Sequence, residues 1–122
     1  MEVSAAKRIV RICFYAAVVA ALAVSLAPTA QSSALAVNDK VEHFAGFLLL
    51  TWLGIGAFGR RRVLTLSLAL LAFGAAIEIL QMLPFIGRDG ELFDWIADTF
   101  GVLTAWAIVG IAFTLRPQIS KA

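Results

Sequence analysis

Apolar and polar residues alternate in long blocks along this chain. Four blocks are apolar, and they cover residues 12–27, 43–58, 63–82 and 93–115. A helix needs about 20 predominantly apolar residues to cross the hydrocarbon core of a bilayer, and these blocks approach that length. Helices are favoured because backbone polar groups in lipid have to be paired within their own segment. The pattern predicts four transmembrane helices, the first over about residues 9–27.

Turn-forming and charged residues separate the apolar blocks. A segment rich in Pro, Ser, Thr, Ala and Gln at residues 28–37 is expected to be a loop. One glycine and three arginines at residues 59–62 end the second block, and the prolines and glycines of residues 84–90 indicate another loop. The fourth block ends at residues 116–117. We therefore expect an all-α integral membrane bundle of four helices, with residues 1–122 as a single domain.

The first apolar block has a second interpretation. Basic residues precede it, and Ala34-Leu35-Ala36 has the small residues of a signal-peptide cleavage site. The block is longer than the apolar region of most signal peptides, which is usually about 7–15 residues. We expect the helix to be retained, and the orientation of the chain is the same in either case.

The composition argues against a soluble domain. The chain has 122 residues, of which 61% are hydrophobic, and its mean hydropathy is +0.93. A domain of this length cannot bury so much apolar surface within itself, so the excess is expected to contact membrane lipids. The net charge of +2 combines a basic end with an acidic one. It therefore gives no reason to expect a nucleic-acid partner.

The charged residues fall into two groups according to the ends of the apolar blocks. One group contains Lys7, Arg8, Arg11, Arg60, Arg61, Arg62, Arg116 and Lys121, opposed only by Glu2. The other contains Asp39, Glu42, Glu78, Asp89, Glu91, Asp94 and Asp98, together with Lys40, Arg88 and His43. Lys and Arg are retained on the cytoplasmic side of a membrane. We therefore expect a bacterial inner-membrane protein with both termini in the cytoplasm and the acidic group on the extracytoplasmic side.

The acidic group contains the candidate functional residues. Glu78 and Gln81 are three residues apart, and Asp94 and Asp98 are four apart, so each pair shares one helix face. Ionisable residues within membrane spans are expected to be functional. We predict a pocket with catalytic residues His43, Glu78 and Asp98, ligand-binding residues Lys40, Gln81, Arg88 and Asp94, and structural residues Asp39 and Gly101.

Each predicted role follows from the chemistry of the side chain. An imidazole transfers protons near neutral pH, and a carboxylate can fix its tautomer. Asp39, with Glu42 three residues later, has the pattern of a helix N-cap. Gly101, four residues after Ala97, allows helix backbones to approach closely. His and carboxylates can also hold a divalent cation, but no spacing here matches a known metal motif, so we assign neither metal ligands nor a cofactor.

The order of these motifs resembles that of the VanZ-like family. The matching residues are Asp39, Lys40, His43 and Phe44, then Glu78 and Gln81, then Arg88, then Asp94, Asp98 and Gly101. The resemblance covers about residues 39–115, and the first helix lies outside its distinctive part. It implies a small bacterial integral membrane protein of the cell envelope, associated with low-level teicoplanin resistance. Many relatives have Asn at the position of Asp98, so this chain adds a negative charge there.

Three functional hypotheses remain open, and the sequence does not decide between an enzyme and a binding protein. In the first, the pocket binds or modifies a lipid-linked envelope precursor. Arg88 and Lys40 hold its anionic head, the spans and Trp95 hold its tail, and His43 acts with a carboxylate in acid–base catalysis. In the second, the protein is a non-catalytic scaffold that binds a partner. In the third, it is a small transporter, which would have to oligomerise because one four-helix chain lacks an inverted repeat.

Overall fold

Four long helices account for nearly all of the described chain. The structure is a computed structural model, and it describes residues 2–27, 35–86 and 92–120. The helices are α1 (Ala5–Leu26), α2 (Leu35–Phe58), α3 (Val63–Gln81) and α4 (Leu92–Ser120), with a 3-10 turn at Arg60–Arg62 between α2 and α3. Each helix contains a stretch long and apolar enough to cross a membrane. The prediction of an all-α chain with four spans is confirmed.

Three helix boundaries differ from the predicted ones, and the first is the start of α1, which lies at Ala5 rather than near residue 9. Helix α2 begins at Leu35, inside the segment expected to be a loop, so Asp39 lies within the helix. The assignment of Asp39 as an N-cap is therefore wrong, because a capping side chain has to precede the first helical turn. Helix α4 continues through Pro117 to Ser120. A proline this near the end of a helix removes only one of its last backbone hydrogen bonds, so the helix passes the expected end.

Helix α2 is the central helix of the bundle, and it contacts α1, α3 and α4. Its contact with α4 is very close at Gly101, where a Cβ atom would lie 2.5 Å from the carbonyl oxygen of Phe44 and 2.9 Å from the amide nitrogen of Leu48. Only a residue without a side chain fits at this point. Gly101 therefore lies at the closest described approach of α4 to the backbone of α2.

The interior of the bundle is apolar over most of its length. Its buried side chains include Phe47 and Leu50 of α2, Leu70 of α3 and Val102 of α4. Many large apolar side chains instead point outward, among them Ile12, Trp52, Leu68, Phe100 and Ile111. An outward apolar surface of this kind suits lipid rather than water.

The members of the two charge groups that the structure describes lie at opposite ends of the bundle. At the basic end, Arg11 of α1 donates a 3.0 Å hydrogen bond to the carbonyl oxygen of Ala57 near the end of α2. The guanidinium of Arg60 lies 3.7 Å from the ring centroid of Phe113 on α4. The start of α1 and the later turns of α4 are therefore at the same end of the bundle. The opposite end, which we call the acidic end, carries the polar side chains described below.

Candidate functional site

Side chains from three helices meet inside the acidic end of the bundle. His43 comes from α2, Glu78 from α3, and Asp94 and Asp98 from α4. All four are buried, with exposed fractions of 8%, 5%, 1% and 0% respectively. Ionisable groups are seldom buried this completely without partners, so their mutual contacts decide what the cluster can do. We call these four residues the His43 cluster.

The shortest contact in the His43 cluster joins the imidazole to Asp98. Nδ1 of His43 lies 2.7 Å from Oδ1 of Asp98. Because a carboxylate only accepts hydrogen bonds, Nδ1 carries the proton and Asp98 orients the ring. The other ring nitrogen, Nε2, lies 3.9 Å from Oε1 of Glu78 and 4.0 Å from Oδ2 of Asp94. It therefore faces two carboxylates.

Lys40 and Asp39 extend the cluster towards the surface. Nζ of Lys40 lies 3.2 Å from Oδ1 of Asp94, and the lysine side chain is partly exposed while the aspartate is buried. Asp39, His43 and Asp94 each place one potential ligand atom within 4.8 Å of the other two. Asp39 thus borders the His43 cluster and is not a helix cap. Its position four residues before His43 on α2 was the sequence pattern that could have indicated this.

Gly74 provides the space that Asp98 occupies. A Cβ atom on Gly74 would lie 2.6 Å from Oδ2 of Asp98 and 3.1 Å from the Phe47 ring. The carboxylate therefore packs directly against the backbone of α3. Among the described residues, Oδ2 of Asp98 has no hydrogen-bond partner although it is fully buried.

The predicted binding residue Gln81 contacts α1. Nε2 of Gln81 donates a 2.8 Å hydrogen bond to the carbonyl oxygen of Ser25, so this fully buried amide joins the ends of α3 and α1. Gln81 follows Glu78 by about one turn of α3, as the sequence spacing requires. Arg88 lies outside the described residues, as do Asp89 and Glu91.

Trp95, predicted to hold the tail of a ligand, contacts the backbone of α3. Nε1 of Trp95 donates a 2.9 Å hydrogen bond to the carbonyl oxygen of Leu71 in the middle of α3. The ring is partly buried between α3 and α4. Trp95 therefore helps to hold α4 against α3.

A cleft between α1 and α2 leads to the His43 cluster. Its volume is about 300 Å³. Ala20, Ala21, Val24, Gly46, Phe47 and Leu50 form its apolar wall, and Ser25, Asp39, Glu42 and His43 form its polar end. The sequence had not indicated a site on α1. The only pattern that could have done so is the pair of small residues Ala20 and Ala21, which leave room beside α2.

The geometry supports three kinds of chemistry at His43. A ring oriented by Asp98 through Nδ1 can accept or donate a proton at Nε2. The same nitrogen can ligate a metal, because a histidine ligand commonly donates its other N–H to a carboxylate. The surrounding carboxylates can accept hydrogen bonds from a ligand. The described residues thus define a class of protein: a small helical membrane protein with a buried histidine–carboxylate cluster at one end of its spans.

Comparison with protein-family models, with curated proteins and with solved structures finds no match to this chain. The resemblance to the VanZ-like family therefore depends on the order of the motifs in the sequence. Of the residues that carry it, the structure brings Asp39, Lys40, His43, Glu78, Asp94 and Asp98 to one end of the bundle.

Proposed function

We propose that this protein is a VanZ-like inner-membrane protein that binds an amphipathic cell-envelope lipid or lipid-linked precursor. An apolar part of the ligand lies in the cleft between α1 and α2, and its head group contacts the polar end at His43. The observation that carries this proposal is the cleft itself, which joins an apolar wall to a buried polar cluster. On this proposal, expression of the protein changes susceptibility to glycopeptides of the teicoplanin type.

The size and walls of the cleft support a lipid segment as its occupant. Ligand pockets usually have volumes of about 300–1,000 Å³. The volume of about 300 Å³ suits part of one chain, while the rest of the ligand remains in the bilayer. The wall is made of small and branched apolar side chains on α1 and α2, which offer contact without hydrogen-bond donors or acceptors.

The charges at the polar end favour a head group that donates hydrogen bonds. Asp39, Glu42 and His43 line this end of the cleft. Lys40, which the sequence suggested as an anion-binding residue, is paired with Asp94 at 3.2 Å. Hydroxyl, amide or ammonium groups complement carboxylates, so a sugar or amino group fits this end better than an isolated anion.

The orientation of the protein is part of the proposal. Arg11 and Arg60 lie at one end of the bundle and the His43 cluster at the other. Because Lys and Arg are retained in the cytoplasm, the acidic end faces the extracytoplasmic side, where envelope precursors are used.

Blocking the cleft tests the proposal. Gly46 lines the cleft, and a Cβ atom added there would meet nothing within 4 Å. Gly46→Phe therefore fills the cleft without disturbing the helices. We expect native mass spectrometry to show loss of the lipids that co-purify with the wild-type protein.

Gly110→Phe is the matched control, since a Cβ atom at Gly110 also meets nothing within 4 Å and this residue does not line the cleft. Equal lipid occupancy in the wild type and both variants would refute lipid binding in the cleft. Loss of lipid in both variants would show that the lipid binds elsewhere on the apolar surface.

A second candidate function is a purely structural one. It is favoured by the complete burial of Asp94 and Asp98 and by the tight contact of Asp98 with Gly74. In that case the polar cluster would hold α2, α3 and α4 together in a scaffold for a protein partner. His43→Ala separates the two candidates: a folded variant that has lost bound lipid supports the pocket, and an unfolded one supports the scaffold.

A further inference from the structure

We infer that an apolar groove at the basic end of the bundle binds an anionic phospholipid, with an acyl chain in the groove and the phosphate at Arg60. The groove shares no lining residue with the cleft between α1 and α2, which leads to the opposite end of the bundle. The inference therefore does not rest on the proposed function. It also holds whichever side of the membrane the basic end faces.

The groove has the size and the walls of a binding site for an acyl chain. It lies between α2 and α4, its volume is about 500 Å³, and its walls include Leu49, Trp52, Ile108 and Phe113. Ligand pockets usually have volumes of about 300–1,000 Å³. The described residues that line the groove carry no charged side chain. A chain of methylene groups therefore suits it better than a polar ligand does.

The groove runs along α2 towards the basic end. Its lining residues on this helix extend from Leu49 to Gly56, which is a rise of about 10 Å along the helix axis. At the end near Gly56, the groove is lined by Val10 of α1, whose Cγ1 would lie 3.4 Å from a Cβ atom on Gly56. An acyl chain in the groove would therefore lie along the helices, with its head group beside the basic residues.

Arg60 supplies positive charge at this end of the groove. Its guanidinium lies 3.7 Å from the ring centroid of Phe113, which lines the groove. Arg60 also lines a neighbouring pocket of about 210 Å³, and that pocket shares Ile55 and Val109 with the groove. Among the described residues no carboxylate pairs with Arg60. A guanidinium that stacks on a ring keeps its N–H groups for a phosphate, which it can bind bidentately.

A second guanidinium lies close to the same end. Nε of Arg11, which follows Val10 on α1, donates a 3.0 Å hydrogen bond to the carbonyl oxygen of Ala57. Its guanidinium carbon lies 5.4 Å from the ring centroid of Phe58 at the end of α2. Of the described acidic residues, Glu2 alone precedes α1 at this end. The groove therefore opens beside an excess of positive charge.

Charge complementarity selects an anionic phospholipid as the occupant. Basic pockets between transmembrane helices bind anionic lipid head groups, and each Lys or Arg near the surface contributes to this attraction. A zwitterionic lipid would add a positive group to an end that is already basic. A second copy of this chain has the same orientation in the membrane, so its own arginines would lie beside Arg60 and repel it.

Titration of the purified full-length protein with phosphatidylglycerol tests the inference. Native mass spectrometry from detergent micelles counts the bound lipid, and phosphatidylcholine with the same chains is the reference. We expect one phosphatidylglycerol per chain, with binding at least about fivefold tighter than that of phosphatidylcholine. Arg60→Gln should weaken binding by about fivefold. Arg8→Gln removes the same charge from an exposed position on the opposite face of α1 from Val10 and should bind like the wild type.

Filling the groove is an independent test of the place of the acyl chain. Ala112 lines the groove, whereas Ala107 is on the same helix and does not line it. Both residues are exposed, so a larger side chain at either position does not enter the core. Ala112→Phe should lose phosphatidylglycerol, and Ala107→Phe should retain it.

Four results would overturn the inference. They are equal affinity for the two lipids, equal binding in Arg60→Gln and Arg8→Gln, equal binding in Ala112→Phe and Ala107→Phe, and a lipid-free dimer that Ala112→Phe dissociates. The last would show that a second copy covers the groove. Loss of phosphatidylglycerol in Gly46→Phe would also overturn it, because that variant fills the cleft between α1 and α2 and the lipid would then lie there.

Discussion

The contact between α2 and α4 gives a sharp prediction about Gly101. Gly101→Ala would place a methyl group 2.5 Å from the carbonyl oxygen of Phe44 and 2.9 Å from the amide nitrogen of Leu48. Both atoms belong to the backbone of α2, so neither can be moved by a change of side-chain rotamer. The two helices would have to separate until the closest distance reached about 3.4 Å, where ordinary van der Waals contact begins.

The cost of this separation can be estimated. Overpacking of a well-packed interior usually destabilises a protein by about 1–3 kcal/mol. Replacing a helical glycine by alanine also stabilises the helix by about 1 kcal/mol. Gly110→Ala in the same helix gains the helix stabilisation of alanine without a steric cost, because a Cβ atom at Gly110 meets nothing within 4 Å. The difference between the two variants therefore isolates the steric cost, and we expect about 1–3 kcal/mol.

Unfolding by sodium dodecyl sulfate in mixed micelles, followed by circular dichroism or tryptophan fluorescence, measures this difference. Gly101→Ala should unfold at a lower detergent fraction than Gly110→Ala. If both variants unfold at the same fraction, the close approach of α2 and α4 at Gly101 does not exist in the protein, and the placement of Asp98 against α2 loses its basis.

Two further predictions concern the site and its orientation. Gly74→Ala would place a methyl group 2.6 Å from Oδ2 of Asp98, so we expect this buried carboxylate to shift and the variant to unfold at a lower detergent fraction than Gly110→Ala. Unfolding of both variants at the same detergent fraction would contradict that geometry. In a Cys13→Ser background, exposed Glu42→Cys should react with an impermeant maleimide added outside the cell, and exposed Arg61→Cys should react only after permeabilisation. The opposite pattern would reverse the proposed orientation.

The spans were predictable because hydropathy is a local property. An apolar stretch of sufficient length forms a helix in lipid whatever the other helices do, since its backbone bonds lie within the segment. Helix α3 was predicted within one residue of its observed end at Gln81. The start of α2 was missed because nothing in residues 35–38 distinguishes a loop from a first helical turn that is continuous with the span.

The helix spacing also indicated part of the candidate site. Asp94 and Asp98 share one face of α4, as their separation of four residues requires. Gly101, on the following turn, marked the face that packs closely against another helix. Those patterns predicted that the carboxylates point into the bundle, but they did not identify the residues opposite them.

The sequence alone thus determined the four spans, the division of charge between the two ends and the side chains that share a helix face. These properties depend on residues within about one or two helical turns of each other. The tertiary structure decided which groups meet: His43 with Asp98, Lys40 with Asp94, and Gln81 with the carbonyl oxygen of Ser25. It also decided that α1 forms one wall of the cleft. The partners in these contacts are more than 50 residues apart in the chain, so they depend on the rotation and packing of whole helices, which local spacing does not specify.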